Sequence, residues 1–356
     1  MSCLINQDYI IINLIYLTKF LTIITILDIT FGEQYYIMQI RLWGVRGSLP
    51  SPINNEEYTG KLNRILDLAI TNQLKSKENI NSFLSNLPDE LRYVFGGDTT
   101  CVTVTSDSGN IYIIDCGTGI RRLGNVLMDG DCGKGKGNLN IMITHNHWDH
   151  LQGLPFFRPI YVPGNILNFY SPYKKQQEYL ENQMSSPYFP ATFQGTASTK
   201  KYNFIEHART TPLQLEEDLF VSIYPLKHPQ GCFAYKFMQN NKTFIFATDT
   251  EFTGETIESS GDTTKFFKNA DILVLDAQYT LNEAFLKADW GHTSYTMAVN
   301  CATNWSVKKL IMTHHEPAYS DDILQENYLL ALEHAELLSD VNTEILLARE
   351  GMIFDL

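Results

Sequence analysis

The chain has 356 residues, 27 basic and 40 acidic, for a formal net charge of −13. With 44% apolar and 19% charged residues it is not a disordered chain, and its length allows one large or two ordinary domains. The acidic balance argues against a polyanion groove built from Lys and Arg, but not against an anionic substrate held by bound metal ions, which dominate their local field.

Residues 1–37 differ from the rest of the chain. The run from Tyr9 to Phe31 is rich in Ile, Leu and Thr, yet Lys19 and Asp28 break it. Its uncharged stretches fall short of the roughly 20 residues that a spanning helix needs. No basic residue precedes the run, as a signal peptide requires. The segment reads as a hydrophobic extension ahead of Met38 on a cytoplasmic protein, with membrane association through 9–31 as the alternative. Cys3, Cys101, Cys116, Cys132, Cys232 and Cys301 form no CxxC pair and read as small core residues in a reducing compartment.

From Met38 onward the pattern is regular. Residues 39–43 predict a strand, followed by a turn through Gly44 to Pro50. Residues 55–95 predict an inserted helical pair serving as a lid or a homodimer contact. Leu62, Ile65, Leu66 and Leu68 mark its first helix; Ile80, Phe83, Leu84, Leu87 and Leu91 mark its second. Strands follow at 101–105 and 111–115, and Gly117-Thr118-Gly119 opens a short helix. An apolar strand at 140–144 runs into a cluster of histidines. A second insertion at 165–200, punctuated by Ser, Pro and Gly, reads as a loop-rich cover. Further strands are expected near 219–226, 233–237, 242–248 and 271–276. A helix after Thr293 carries Ala298, Cys301, Ala302 and Trp305 on one stripe, and a strand at 310–313 follows. Ser320 reads as the N-cap of a helix that buries Leu324, Tyr328, Ala331, Ala335 and Leu338. A closing hairpin is expected through 345–348 and 352–354. Strands and then helices, twice over, predict an α/β protein: two sheets packed together with helices outside.

The chemistry concentrates in His145-Asn146-His147-Trp148-Asp149-His150, where four metal-ligand side chains fall within six residues directly after a buried strand. His145 and His147 alternate, so extended backbone aims both imidazoles one way. Asp149 and His150 fall where a turn would aim them at a second position nearby. Other candidates stand at predicted strand ends: His228, Asp249, and one of His314 and His315, with alternation favouring His314. A buried carboxylate at Asp249 needs a partner or a metal, and a carboxylate can bridge two cations. His292, in Trp290-Gly291-His292-Thr293-Ser294, is either a proton donor or a helix-start histidine bonded to a hydroxyl. Asp115 either orients the histidine loop or caps a helix, and Asp276 is a similar, weaker candidate. Gly96-Gly97-Asp98 reads as a tight loop, and His207 and His334 as structural residues.

Together these motifs resemble the metallo-β-lactamase superfamily, in its RNase Z-like phosphodiesterase branch. The resemblance runs from about Met38 to Leu356. It rests on the HxHxDH run at 145–150, Pro225-Leu226-Lys227-His228, Ala247-Thr248-Asp249-Thr250, Gly291-His292-Thr293-Ser294 and Met312-Thr313-His314-His315. Arg46-Gly47-Ser48-Leu49-Pro50 and Gly96-Gly97-Asp98-Thr99-Thr100-Cys101 are similar to a bacterial subgroup with RGSxP and GGNTSC runs, Asp98 standing where that subgroup has Asn. The resemblance implies an αββα four-layer sandwich. It implies that His145, His147 and His228 hold one divalent metal, that Asp149, His150 and His314 hold another, and that Asp249 bridges them. Asp149 and His292 would be catalytic, His292 protonating the leaving group. Zinc is the default for such a His/Asp set, with manganese or iron as alternatives.

Members of this branch cleave tRNA 3′ trailers, cyclic nucleotides or cyclic ribose phosphates, and some counter Pycsar antiphage signalling. Those that bind tRNA carry a long arm between the counterparts of His228 and Asp249. Here the two are 21 positions apart, an interval filled by predicted strand. With the acidic balance, this favours a small anionic phosphodiester, foremost a cyclic nucleotide, with neither extended nucleic acid nor a membrane as partner. The expected chemistry is in-line attack on phosphorus by a hydroxide shared between two cations, with His292 as the acid. Tyr188 and Phe189 would stack on a base or pack against their own loop. The rival readings are tRNA 3′ processing, hydrolysis of lactones, thioesters or β-lactams on the same metals, and a non-catalytic nucleotide-binding module.

Overall fold

The computed structural model describes residues 37–74, 76–258, 261–338 and 342–356. The hydrophobic extension and the membrane reading of 9–31 lie outside the described residues, and the chain from Ile37 onward forms one unit.

Six strands in succession enter one sheet: β1 (Gln39–Gly44), β2 (Cys101–Thr105), β3 (Ile111–Ile114), β4 (Asn138–Met142), β5 (Ile166–Ser171) and β6 (Thr199–Phe204). The next seven enter a second: β7 (Leu213–Gln214), β8 (Phe220–Leu226), β9 (Cys232–Gln239), β10 (Lys242–Ala247), β11 (Ile272–Asp276), β12 (Lys309–Thr313) and β13 (Glu344–Leu347). The last strand, β14 (Ile353–Asp355), crosses back to pair antiparallel with β1. The sheet orders are β14-β1-β2-β3-β4-β5-β6 and β13-β12-β11-β10-β9-β8-β7. In each, antiparallel pairing on one side gives way to parallel pairing on the other.

The runs Phe244-Ile245-Phe246-Ala247 and Ile272-Leu273-Val274-Leu275 are apolar without alternation because both faces of their sheet are covered. Between the sheets, Ile40, Leu42, Val104 and Ile114 meet Val221, Phe237, Phe246 and Val274. Outside the first sheet, helix Gly119–Leu127 buries Ile120 and Leu123. Outside the second, helices Tyr295–Asn304 and Asp321–Glu336 bury Ala298, Cys301, Ala302, Leu324 and Ala331. The layers are helix, sheet, sheet, helix: the αββα sandwich. The stripe ending at Trp305 is buried, and Ser320 caps its helix by accepting from the Ile323 N–H. The five cysteines of the described residues are buried and unpaired. Among the described residues no helix is long and apolar enough to cross a membrane.

Three expectations are corrected. The helical pair is one long helix, Asn55–Thr71, followed by the short turns Ile80–Ser85 and Asp89–Arg92. Its Leu62 and Leu66 face solvent, and its one buried side chain is Lys61. This helix docks by charge: the Lys61 ammonium donates to Asp321 at 2.5 Å and to the Tyr93 carbonyl at 2.7 Å, and Arg64 reaches Asp322 at 2.6 Å. Apolar periodicity therefore misread which face is inward. The segment 165–200 is not a loop-rich insertion. It contains β5, whose alternating burial places Leu167 and Phe169 in the core, and helix Gln176–Gln183. Within it Phe189 packs edge-on against Phe156 while Tyr188 stays exposed. The closing hairpin is also absent. β13 lies parallel to β12 in one sheet and β14 lies beside β1 in the other, because Gly351 and Met352 bond to the backbone of Leu42 and turn the chain across.

Trp305 stacks on Phe267 with ring centroids 4.5 Å apart, and both are fully buried. Trp305→Ala is expected to destabilise the protein by about 3–5 kcal/mol. Tyr188→Ala, at a side chain 84% exposed, is expected to stay within about 0.5 kcal/mol of the parent. Urea unfolding followed by circular dichroism measures both.

Candidate metal centre

β8, β10, β11 and β12 run in one direction, so their C-terminal ends lie at one edge of the second sheet. The parallel β3 and β4 deliver the Asp115 turn and the histidine loop to the same place. His228 follows β8, Asp249 follows β10, Asp276 ends β11 and His314 follows β12. Asp115, Asp249 and His314 turn into the site from left-handed backbone, with φ of 61°, 58° and 63°. Such a conformation costs a side-chain-bearing residue roughly 1–2 kcal/mol, and Asp and His are among those found there.

The side chains converge in two groups. Ligand atoms of His145, His147 and His228 lie within 4.8 Å of one another, as do those of Asp149, His150, Asp249 and His314. Asp249 joins the groups. Its Oδ1 lies 3.8 Å from His145 Nε2 and 3.7 Å from His228 Nε2, while its Oδ2 lies 3.0 Å from His150 Nε2 and 3.2 Å from His314 Nε2. All seven sequence candidates are thus brought together. His292 borders them, its ring stacked on that of His314 at 5.0 Å. His315 is buried elsewhere, bonded to the Ala348 carbonyl, with burial and then Arg46 pushing its pKa down to about 3. His334 bonds Asn300, and His207 lies in a short turn away from the site.

Each imidazole is oriented by an acceptor on its outer nitrogen. His150 Nδ1 donates to Asp115 at 2.7 Å, His147 Nε2 to Gln230 at 2.8 Å, His228 Nδ1 to the Gly291 carbonyl at 3.0 Å, and His314 Nδ1 to Gln278 at 3.2 Å. His145 Nδ1 meets the Thr144 hydroxyl, which donates in turn to Asp115. The protons so placed leave the inner nitrogens as lone pairs, and those of His147 and His228 face each other at 3.0 Å. His145 Nε2, His150 Nε2 and Asp249 Oδ2 are buried without a hydrogen-bond partner. A buried polar atom left so costs about 1–3 kcal/mol. Divalent cations would satisfy these atoms together, so the residues fit a metal pair.

The electrostatics agree. Burial opposes charge on Asp249, but His314, His150 and His145 hold it well below the usual carboxylate range. Burial likewise opposes charge on His150, yet Asp249, Asp149 and Asp115 keep it well above its ordinary value. His314 is pushed up to about 9, against burial, by Asp249 and its bond to Asp149. The carboxylates thus attract positive charge strongly, and protons and metal ions compete for it.

Asp276 is a centre of its own. Fully buried, it accepts from His292 Nδ1 at 2.8 Å and from the N–H groups of Asp249, Gln278 and Thr293. Asp115 proves to orient the histidine loop rather than cap a helix, since it accepts from the Thr144 N–H, the Thr144 hydroxyl and His150. Burial raises its pKa against the pull of His150, but three donors aimed at two oxygens require the carboxylate. Sequence reasoning missed Gln230, Gln278 and the Ser48 N–H, which holds Asp149 Oδ2 at 2.8 Å. Two glycines are set by contact. A Cβ on Gly47 would lie 2.4 Å from His314 Nδ1, and one on Gly291, at φ 87°, 2.2 Å from His228 Nδ1.

Comparison with known proteins agrees with this geometry. A family model described as the beta-lactamase superfamily domain matches residues 110–315, more than half of the chain. The chain belongs to the metallo-β-lactamase superfamily, as a hydrolase of its RNase Z-like branch. It is similar to ribonuclease Z of Prochlorococcus marinus strain NATL1A, 25% identical over 257 residues, covering 53% of this chain and 78% of that protein. The fold matches the metallo-beta-lactamase fold protein YhfI from Bacillus subtilis with a TM-score of 0.58 at 16% identity, covering 90% of this chain and 99% of that one. It also matches a diphosphatase from the PhnP family, with a TM-score of 0.54 at 17% identity over 90% and 98% of the two chains.

Asp115→Asn keeps the left-handed backbone but replaces one acceptor oxygen by a donor. It is expected to weaken divalent-metal binding by about 10–100-fold, measured by competition with a chromophoric chelator.

Proposed function

We propose that this hydrolase is a metal-dependent phosphodiesterase of small phosphodiesters, foremost cyclic nucleotides. The observation that carries the reading is the Asp249 carboxylate, one oxygen turned to His145 and His228 and the other to His150 and His314. On this reading His145, His147 and His228 hold one divalent cation, Asp149, His150 and His314 hold a second, and Asp249 is shared. Zinc suits these ligands, with manganese or iron as alternatives. When bound, such ions lower the pKa of water and offset charge that develops on phosphoryl oxygens.

The chain's own residues supply the rest. Asp149, fixed by the Ser48 N–H, is the carboxylate that orients the attacking water. His292 donates its Nδ1–H to Asp276, and the carboxylate supports the imidazolium form, in which Nε2 carries the proton given to the departing oxygen and the ring is left neutral. The Asp276 contact fixes the plane of that ring and keeps the proton on Nδ1 after Nε2 has given up its own. Because His147, His228 and His292 are only partly buried while His145, His150 and His314 are buried, substrate reaches the centre from the side of the first three.

Three observations favour a small phosphodiester. Residues between His228 and Asp249 are consumed by β9, β10 and their turns, which leaves no projecting arm. The net charge of −13 disfavours a long polyanion. Similarity to ribonuclease Z supports phosphodiester chemistry over carbon esters. The ribonuclease Z relatives also make tRNA 3′ processing the second reading.

Zinc-loaded protein is expected to turn over bis(4-nitrophenyl) phosphate and at least one 3′,5′-cyclic nucleotide, ahead of a lactone, a β-lactam or a precursor tRNA. Turnover of the carbon esters alone would overturn the proposal, and cleavage of the tRNA alone would establish the second reading. His147→Ala is expected to lose metal and activity together. His292→Ala is expected to keep its metal and slow by about 10²–10⁴-fold, read by elemental analysis beside initial rates.

A further inference from the structure

A cavity of about 350 Å³ opens beside His292. Phe252 and Met297 line it, together with Leu281, Ala284 and Phe285 of helix Leu281–Leu286. The helix is built to stand there. Thr280 caps it with a capping box, accepting from the Glu283 N–H while Glu283 accepts from the Thr280 N–H. Phe285 is nevertheless 81% exposed. A large aromatic side chain held on a capped helix at the mouth of a cavity is the kind of apolar surface that receives a ligand.

The chemistry of the wall narrows the ligand. Among the described residues lining the cavity none is Lys or Arg, and besides His292 the one ionisable group is Glu251. Its carboxylate already accepts from Lys227 and from the Asp289 N–H, each at 2.7 Å. No cation is left to meet a second phosphate, so a continuing nucleic-acid strand is disfavoured. The volume lies at the small end of ligand pockets, which run from about 300 to 1,000 Å³. A flat, neutral ring fits both limits.

Position then says which part of a substrate this is. His292 borders the cavity on one side and the histidine and aspartate cluster on the other. The group whose oxygen takes its proton must therefore sit at the cavity mouth. We propose that this cavity is the specificity subsite for the nucleobase carried on the leaving-group side of the phosphodiester, with Phe285 and Phe252 as its aromatic contacts. The inference rests on the phosphodiesterase reading above. Phe252 and Phe285 determine specificity here and touch no reacting atom.

The test compares two diesters of the same ring chemistry, adenosine 3′,5′-cyclic monophosphate and the cyclic phosphate of 1,3-propanediol, which has no base. Ala288 lines the cavity from an exposed position, so Ala288→Trp fills the space without touching the core. In Ala288→Trp and in Phe285→Ala, the ratio of kcat/KM for the nucleotide to that for the base-free diester is expected to fall by about tenfold or more. In the zinc-loaded parent and variants, equilibrium dialysis of adenosine 5′-monophosphate against inorganic phosphate is expected to show the same loss in the ratio of affinities. An unchanged ratio in both variants, in an enzyme that cleaves the nucleotide, overturns this subsite alone. A parent that cleaves neither diester overturns the proposed function, and this inference with it.

Discussion

Four aspartates, Asp115, Asp149, Asp249 and Asp276, are buried together at one end of the sandwich. Ionised carboxylates survive in such a place only when each oxygen meets a donor or a cation. Here the compensation is layered. Asp115 and Asp276 are satisfied by backbone N–H groups, a hydroxyl and imidazole N–H groups, and serve as fixed anchors. Asp149 and Asp249 instead face bare imidazole nitrogens, and the positive charge that would balance them comes from protons or metal ions. The same imbalance that makes this end of the molecule expensive to bury makes it a strong cation site.

The sandwich exists in a form that gathers these groups. Parallel strands of both sheets end at one edge, so residues from Asp115 to His314 arrive within a few ångströms although they are far apart in the chain. Three of the arriving residues leave their strands in left-handed backbone, an expenditure of a kind that clusters where function requires it. Gly47 and Gly291 remove the Cβ atoms that would push His314 and His228 out of place. A site made this way is positioned by strand ends and backbone contacts rather than by flexible loops, which suits chemistry that depends on geometry held to fractions of an ångström.

What could be read from the sequence followed from how local each feature is. The HxHxDH run carries its own spacing, and His228, Asp249 and His314 were visible because each ends a strongly apolar strand. The layered fold was legible for the same reason: the uninterrupted apolar runs near 244–247 and 272–275 can only be buried strands. Features set by distant partners were not legible. Gln230 and Gln278 orient His147 and His314 across the fold, and no local pattern marks a glutamine for that task. The docking of the first inserted helix through Lys61 was not legible either, because its partner, Asp321, lies 260 positions away. The pattern 345–348 then 352–354 looks like a hairpin in one dimension, and only the backbone of Leu42 reveals that the chain changes sheets there.

That change of sheets ties the end of the chain to the reactive centre. Strand β14 lies against β1, and β1 runs directly into the turn whose Gly47 packs on His314 and whose Ser48 grips Asp149. Loss of the pairing between Ile353–Asp355 and β1 would loosen that edge first, and the turn beyond it would lose its footing. The histidine and aspartate cluster is thus braced by an edge strand that contributes none of its side chains.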